Sequence, residues 1–385
     1  MPPKRHLISL SDLSTAEVLN LLDLAERMAA AIGLDDGKAG APVHPLDRIL
    51  ATLFYEPSTR TRLSFESAML RLGGQVLGFA DPAASSATKG ETVADTARMV
   101  SAYANVIVIR HPLAGAAKVA ADSASVPVIN AGDGAREHPT QTLTDLFCIR
   151  RELGTLEGLK VGLCGDLKYG RTVHSLAPVM AQWGCEIIGI APDELAMPEE
   201  SIARVRAAGG TYTATASLEE AIGDLDVLYM TRVQRERFPS PEDYERVKGV
   251  YVLTPEILQR GKETLRVLHP LPRVDEIAPG VDADRRAAYF RQAAGGVPVR
   301  MALLALLLHL PCTKDTSGAA GFGKAHRPAI QPLGEAPAPE PTVSGPPCQN
   351  PKCITSTEPH LPAEWYEREL GLVCAYCERP MGVPQ

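Results

Sequence analysis

The chain has 385 residues, 45% of them apolar and 22% charged, and carries a formal net charge of −7. Length and composition point to a globular protein of two or three domains with sizeable cores, and the acidic balance argues against a nucleic-acid or membrane-surface partner. The N-terminus lacks an apolar core of signal length, and the most apolar stretch, residues 297–310, holds Pro298, Arg300 and His309 and is too short to cross a bilayer, so a cytoplasmic location is expected.

In chain order, Ser14-Thr15-Ala16-Glu17 reads as a capping box opening a helix with Val18, Leu21, Leu22 and Ala25 on one face. Residues 49–54, 106–110 and 126–130 are apolar, β-branched runs that read as strands, with helical patterns at 61–72, 91–103 and 113–122. A long helical pattern at 140–153 ends at Gly154. The alternation then restarts, with strands at 160–164, 185–191, 226–231 and 265–269 and helices at 172–183 and 199–208. The expected fold class is therefore α/β, with two doubly wound parallel-sheet domains hinged near the 140–153 helix. Their expected bounds are 1–140 and 141–295, with a buried helix at 296–312, centred on 301–310, returning to complete the first. Residues 313–347 carry seven prolines and five glycines with little apolar periodicity, which is linker composition, and 348–385 form a separate small module.

Four stretches carry chemistry. Ser58-Thr59-Arg60-Thr61-Arg62 follows a predicted strand; Pro57 stiffens the turn and Ser58 is placed to cap the next helix. The helix N-terminus, the Ser58, Thr59 and Thr61 hydroxyls and the Arg60 fork suit a phosphate, though alone the pattern also fits an ordinary capped helix. Arg110 ends the 106–110 strand, where parallel sheets bind ligands, but by itself it reads equally as a surface arginine. Gly132 to Thr142 makes a glycine loop that enters a helix at Pro139 and sets His138 and Gln141 three residues apart; a helix-capping histidine is the rival. Gly165 to Thr172 has P-loop spacing, yet Arg171 stands where a P-loop lysine belongs, which argues against ATP.

Taken together, Ser58-Thr59-Arg60-Thr61-Arg62 and His138-Pro139-Thr140-Gln141 resemble the carbamoyl-phosphate site of the transcarbamoylase family, and the resemblance runs over about residues 5–310. It implies two α/β domains with the site between them. It further implies that Ser58, Thr59, Arg60, Thr61 and Arg110 grip the phosphate, that Thr61, Arg110 and His138 polarise the carbonyl oxygen, and that Gln141 holds the carbamoyl nitrogen. The stretch from Gly165 to Ser175 and Thr231-Arg232-Val233-Gln234-Arg235-Glu236-Arg237 resemble the branch that uses L-aspartate, with Arg171, Arg232 and Gln234 on its two carboxylates. His269-Pro270-Leu271-Pro272 lacks the cysteine expected of the ornithine branch; Leu271 is implied to offer a backbone carbonyl and its bond to Pro272 to be cis. Ser85 and Lys89 match residues that reach a neighbouring subunit's site, which implies a homotrimer or a dimer of trimers. Glu56 matches one that pairs with Arg171 and Arg237 on closure. The implied reaction transfers the carbamoyl group of carbamoyl phosphate to the amine of L-aspartate, a step of pyrimidine biosynthesis, without a catalytic cofactor. A transferase for another amine such as ornithine and a catalytically silent scaffold are the alternatives, and a dihydroorotase partner is compatible.

Of the eight cysteines, Cys148, Cys164, Cys185 and Cys312 lie in apolar surroundings and read as small buried hydrophobes. Cys348, Cys353, Cys374 and Cys377 have metal-ligand spacing, and four thiolates make a closed, structural Zn2+ site. The segment is too small to hold a core alone, so the metal is expected to supply its folding energy. Trp365, Tyr366 and Tyr376 either dock the module or fill its interior. Cys348-Gln349-Asn350-Pro351-Lys352-Cys353-Ile354 and Cys374-Ala375-Tyr376-Cys377-Glu378 resemble the zinc domain of the regulatory chain that accompanies the aspartate-using branch. The nucleotide-binding domain of that chain has no counterpart here, so control by CTP or ATP through it is not expected.

Overall fold

The computed structural model describes residues 5–34, 47–134, 136–233, 242, 249–310, 333–334, 338, 340–368 and 371–382. The chain divides into two compact units, Met1–Thr140 with Val297–Gln385 and Gln141–Gly296. Cys312, Gln234 and Arg237 lie outside the described residues.

In the first unit, α1 (Thr15–Ala31) opens on the expected capping box, Ser14 accepting the Glu17 N–H while Glu17 accepts the Ser14 N–H. Four parallel strands follow: β1 (Ile49–Phe54), β2 (Gln75–Phe79), β3 (Val106–His111) and β4 (Val128–Asp133), in the order β2-β1-β3-β4. The apolar runs of β1, β3 and β4 are almost wholly buried, as a sheet covered on both faces requires. Helices α2 (Thr59–Arg71), α3 (Val93–Val100) and α4 (Ala116–Ser123) connect them. The chain steps from β1 outward to β2, then crosses back to β3 and β4, so the winding reverses between β1 and β3.

Helix α5 (Pro139–Leu153) leads into the second unit. There β5 (Lys160–Cys164), β6 (Glu186–Ile190), β7 (Thr211–Thr215), β8 (Val227–Met230) and β9 (Arg266–Leu268) form a parallel sheet in the order β7-β6-β5-β8-β9. Helices α6 (Arg171–Gln182) and α7 (Glu199–Ala207) cross between strands, and here the winding reverses between β5 and β8.

The returning helix departs from expectation. It spans Tyr289–Leu307, beginning before the expected 296 and continuing through Pro298. Proline removes only its own N–H from the ladder, and the flanking turns are held by packing: Tyr289 is fully buried and Gly295 sits against the Phe147 ring. Beyond Val297 the Arg300 guanidinium lies 4.9 Å from the Phe65 ring centre on α2. The helix stops short of 312 because His309 turns left-handed, at φ 50°.

The C-terminal module is a three-stranded antiparallel sheet of β10 (Val343–Ser344), β11 (Glu364–Arg368) and β12 (Gly371–Cys374). Its first strand lies inside the stretch that composition marks as linker. Earlier in that stretch, Leu333 is buried, and Gly334 accepts from Arg5 (2.8 Å) and donates to Glu17 (2.9 Å). The module packs on its own chain's first unit. Ala114 exchanges two backbone bonds with it, donating to Lys352 and accepting from Ile354 (3.0 and 2.9 Å), and Glu358 accepts the Val93 N–H at the start of α3 (2.7 Å). Trp365 fills the module's own interior, donating to the Pro346 carbonyl (2.9 Å). Tyr376 docks: a Cβ on Gly115 would stand 2.6 Å from the Tyr376 Cβ, and Lys118 lies 5.7 Å from its ring centre. Tyr366 stacks with Arg368 of the module itself.

Candidate active site and metal centre

Residues of the first unit gather at the reversal between β1 and β3. The parallel register sets Phe54 beside Arg110, and the Tyr55 N–H donates to the Arg110 carbonyl (2.8 Å), so the strand ends leave the sheet together. Ser58 holds the N-cap of α2 but its side chain makes no capping bond, while Thr59 and Arg60 are exposed and Thr61 is buried at 7%. Arg62 is taken up by Glu66 (2.8 Å). The Arg110 side chain, 12% exposed, has its Nε 3.0 Å from a Glu56 carboxylate oxygen. Gly134 turns left-handed (φ 54°) and brings the β4–α5 loop against Pro112 and Ala114, where any Cβ would sit 2.8 Å from the Ala114 nitrogen. His138 then arrives buried just ahead of α5, its Nδ1 3.4 Å from the Thr140 hydroxyl. Neighbouring His111 is a structural histidine: burial holds its pKa down at about 4, and its Nδ1 accepts the Leu113 N–H (3.1 Å). Ser85 and Lys89 occupy a separate loop; the Ser85 hydroxyl donates to Pro82 (2.8 Å), and Lys89 is exposed.

The second unit repeats the device at the reversal between β5 and β8. Arg171 begins α6, reached from β5 through the Gly165–Gly170 turn, and Arg232 follows β8. Adjacent β5 and β8 are locked at this end by the Thr231 N–H and hydroxyl, both donating to the Cys164 carbonyl (2.8 and 2.9 Å). Gly165 (φ 111°) permits the approach, because a Cβ there would stand 2.5 Å from the Thr231 oxygen. Arg171 is buried and Arg232 partly so. After β9, Leu271 has φ 51° and its bond to Pro272 is cis, as the resemblance implied.

Sequence reading missed what holds this last turn. His269 accepts the Leu271 N–H on Nδ1 (2.8 Å), so its Nε2 carries the hydrogen toward Glu276 (2.6 Å). Burial acts to raise the Glu276 carboxyl, but bonds from His269 and from backbone N–H groups outweigh it and hold the pKa below the usual range. The His269 N–H donates to Gln292 (2.9 Å), Gln292 donates to Asp145 (2.6 Å), and Asp145 also accepts from Gln141 (2.7 Å) and the Tyr229 hydroxyl (3.0 Å). Only the Gln141–Asp145 spacing of four on one helix was visible beforehand.

In the module the four cysteine sulfurs all lie within 4.8 Å of one another, with Cys348–Cys377 at 3.6 Å and Cys353–Cys374 at 4.0 Å. A tetrahedral ion about 2.3 Å from each sulfur would set them about 3.8 Å apart, so the donor set fits such a metal. The Thr355 hydroxyl donates to the Cys353 sulfur (3.2 Å), an outer contact that orients one thiolate. Cys148, Cys164 and Cys185 are buried free thiols, as expected. No helix among the described residues is long and apolar enough to cross a membrane.

Comparison with known proteins identifies the family. Residues 5–151 match the family described as aspartate/ornithine carbamoyltransferase, carbamoyl-P binding domain, and residues 157–307 its Asp/Orn binding domain. Residues 347–383 match the metal binding domain of the aspartate carbamoyltransferase regulatory chain. The aspartate carbamoyltransferase catalytic subunit of Thermococcus gammatolerans is 54% identical over 304 residues, 79% of this chain and 97% of that protein. That of Methanosarcina barkeri is 54% identical over 303 residues, covering 78% and 96%. Among solved structures, the catalytic subunit of M. jannaschii aspartate transcarbamoylase shares 46% identity at a TM-score of 0.73, covering 82% of this chain and 100% of that one. The Trypanosoma cruzi enzyme in complex with N-(phosphonacetyl)-L-aspartic acid shares 40% at 0.72, covering 78% and 94%. The chain belongs to the aspartate/ornithine carbamoyltransferase family, among the aspartate carbamoyltransferase catalytic subunits, and carries a regulatory-chain metal-binding domain at its C-terminus.

Proposed function

We propose that this chain is an aspartate carbamoyltransferase of pyrimidine biosynthesis, joining carbamoyl phosphate and L-aspartate to give N-carbamoyl-L-aspartate and phosphate. The observation that carries the reading is that each parallel sheet delivers its candidate anion-binding residues at its own winding reversal, where open α/β sheets bind ligands: Ser58–Thr61 with Arg110, and Arg171 with Arg232. Ser58, Thr59, Arg60, Thr61 and Arg110 hold the phosphate, Thr61, Arg110 and His138 stabilise the oxyanion, and Gln141 with Leu271 and Pro272 holds the carbamoyl group. Arg171, Arg232 and Gln234 bind the two carboxylates of aspartate. The amine attacks the carbonyl carbon and phosphate leaves, with the barrier lowered by positioning and by preorganised charge.

Ser85 and Lys89 serve the site of a neighbouring subunit, in a trimer or a dimer of trimers, in the cytoplasm. The four cysteines hold a structural Zn2+; with four protein ligands it has no open position for catalysis. Carbamoyl aspartate formation by purified protein is the direct test. Arg110→Ala should cut turnover at saturating substrates about 100- to 1000-fold while leaving the melting curve nearly unchanged, the usual cost of one oxyanion donor. Wild-type turnover in that variant would end the assignment. A panel of amines including ornithine decides the acceptor.

A further inference from the structure

Asp145 is fully buried on α5 and accepts hydrogen bonds from Gln141 Nε2 (2.7 Å), Gln292 Nε2 (2.6 Å) and the Tyr229 hydroxyl (3.0 Å). In both glutamines the atom that meets this carboxylate is the amide nitrogen, donating to Asp145 Oδ1. Gln141 is thereby left with its side-chain oxygen as the end open to a ligand. Gln292 likewise has its oxygen turned to the His269 N–H (2.9 Å), which fixes the residue that opens the turn before Leu271. Within that turn the Leu271 N–H is already spent on His269 Nδ1 (2.8 Å), so the group this residue can offer outward is its carbonyl. Burial and the neighbouring carboxylate push the Tyr229 hydroxyl well above its ordinary range, so it stays a donor.

We infer that Asp145 is a positioning residue that orients two hydrogen-bond acceptors, the Gln141 side-chain oxygen and the Leu271 carbonyl, and so makes the enzyme read N–H groups on its acyl donor. The inference rests on the functional reading above, which places both residues on the carbamoyl group. It supplies the basis for choosing an NH2-bearing acyl phosphate over one of equal shape bearing CH3: a methyl group leaves both acceptors unpaired, and sites built to pair with an N–H reject such analogues strongly.

The test compares carbamoyl phosphate with acetyl phosphate as donors to L-aspartate, with inorganic phosphate as inhibitor to report the anion site. Wild-type protein should prefer carbamoyl phosphate in kcat/KM by on the order of 10,000-fold. Asp145→Asn, which lets the Gln141 amide turn over, should lower that preference by about 10-fold while phosphate inhibition changes less than about twofold. Tyr229→Phe removes a donor from the same carboxylate without freeing Gln141 and should keep the preference. Unchanged discrimination in Asp145→Asn, or equal loss in both variants, overturns the inference. Should Asp145→Asn fail to fold, binding of phosphonoacetamide and its methyl-ketone counterpart to wild-type protein decides, and equal affinity refutes the N–H reading. Failure of wild-type protein to form carbamoyl aspartate would instead remove the functional assignment, and calorimetry with the inhibitor pair reads the selectivity separately.

Discussion

Arg136 sits two residues before His138 with its side chain only 9% exposed, and it is surrounded by acids from two parts of the chain. Asp133, fully buried, lies 3.8 Å away, Glu378 of the metal-binding module pairs with it directly, and Glu137 adds its charge. The arrangement is asymmetric. Removing Arg136 strands a buried carboxylate and its neighbours, whereas removing Glu378, which is about one-third exposed, leaves the guanidinium paired with Asp133. Breaking a buried pair from its buried side costs about 3–5 kcal/mol, and losing a partly solvated partner costs about 1 kcal/mol. At about 2–4 °C per kcal/mol, Arg136→Ala should lower the melting point of the metal-loaded protein by roughly 6–20 °C and Glu378→Gln by only a few degrees.

A pH dependence should accompany the larger loss. Burial pushes the Asp133 carboxyl up, and Arg136 is the first force opposing it. Without Arg136 the folded-state pKa rises further above its unfolded value, so the variant's deficit should be greatest at neutral pH and shrink toward pH 4. Because this loop carries His138, KM for carbamoyl phosphate should rise in Arg136→Ala and stay near wild type in Glu378→Gln. Equal destabilisation by the two variants, or a neutral Arg136→Ala, would refute the reasoning.

Three further outcomes are expected. His111 has a folded pKa of about 4 against about 6.5 unfolded, so it takes up a proton in the unfolded chain first, and stability falls by about 3 kcal/mol as pH drops from 6.5 to 4; urea titrations should show that slope flattened in His111→Asn. Chelating the metal should unfold the module and make its four thiols reactive to Ellman's reagent, whereas a protected tail after complete metal removal would show that sulfur packing alone holds it. Gly165→Ala forces a Cβ to within 2.5 Å of the Thr231 oxygen at φ 111° and should raise KM for aspartate with a loss of about 1–3 kcal/mol of stability; unchanged kinetics would mean the β5–β8 junction yields freely.

The central strands were legible because their burial writes itself as continuous apolar runs: β1 and β5 begin and end where the sequence places them. Of the edge strands, the buried β4 and β9 were legible and the more exposed β2 and β7 were not. No residue of β2 or β7 is fully buried, and Thr211-Tyr212-Thr213-Ala214-Thr215 offers only Tyr212 and Ala214 on one face, too little to betray a strand. Gly295, Gly296 and Pro298 likewise masked the first half of the returning helix, which tertiary packing stabilises against local propensity. At the site, the contiguous Ser58–Arg62 and His138–Gln141 motifs stood out because strand-to-helix turns concentrate their chemistry in a few residues. Asp145 and Gln292, 147 positions apart, meet only through the fold, and the contact of Arg136 with Glu378 needs the module to be docked.

The anchoring of Gly334 to Arg5 and Glu17 changes how the metal-binding tail behaves as a ligand. From that anchor to Val343 the chain can reach at most about 30 Å. Confined to so small a volume, the module meets the α3–α4 face at a local concentration in the millimolar range. A detached copy supplied in solution would have to match that abundance to take its place, so exchange between molecules should stay rare while the anchor holds.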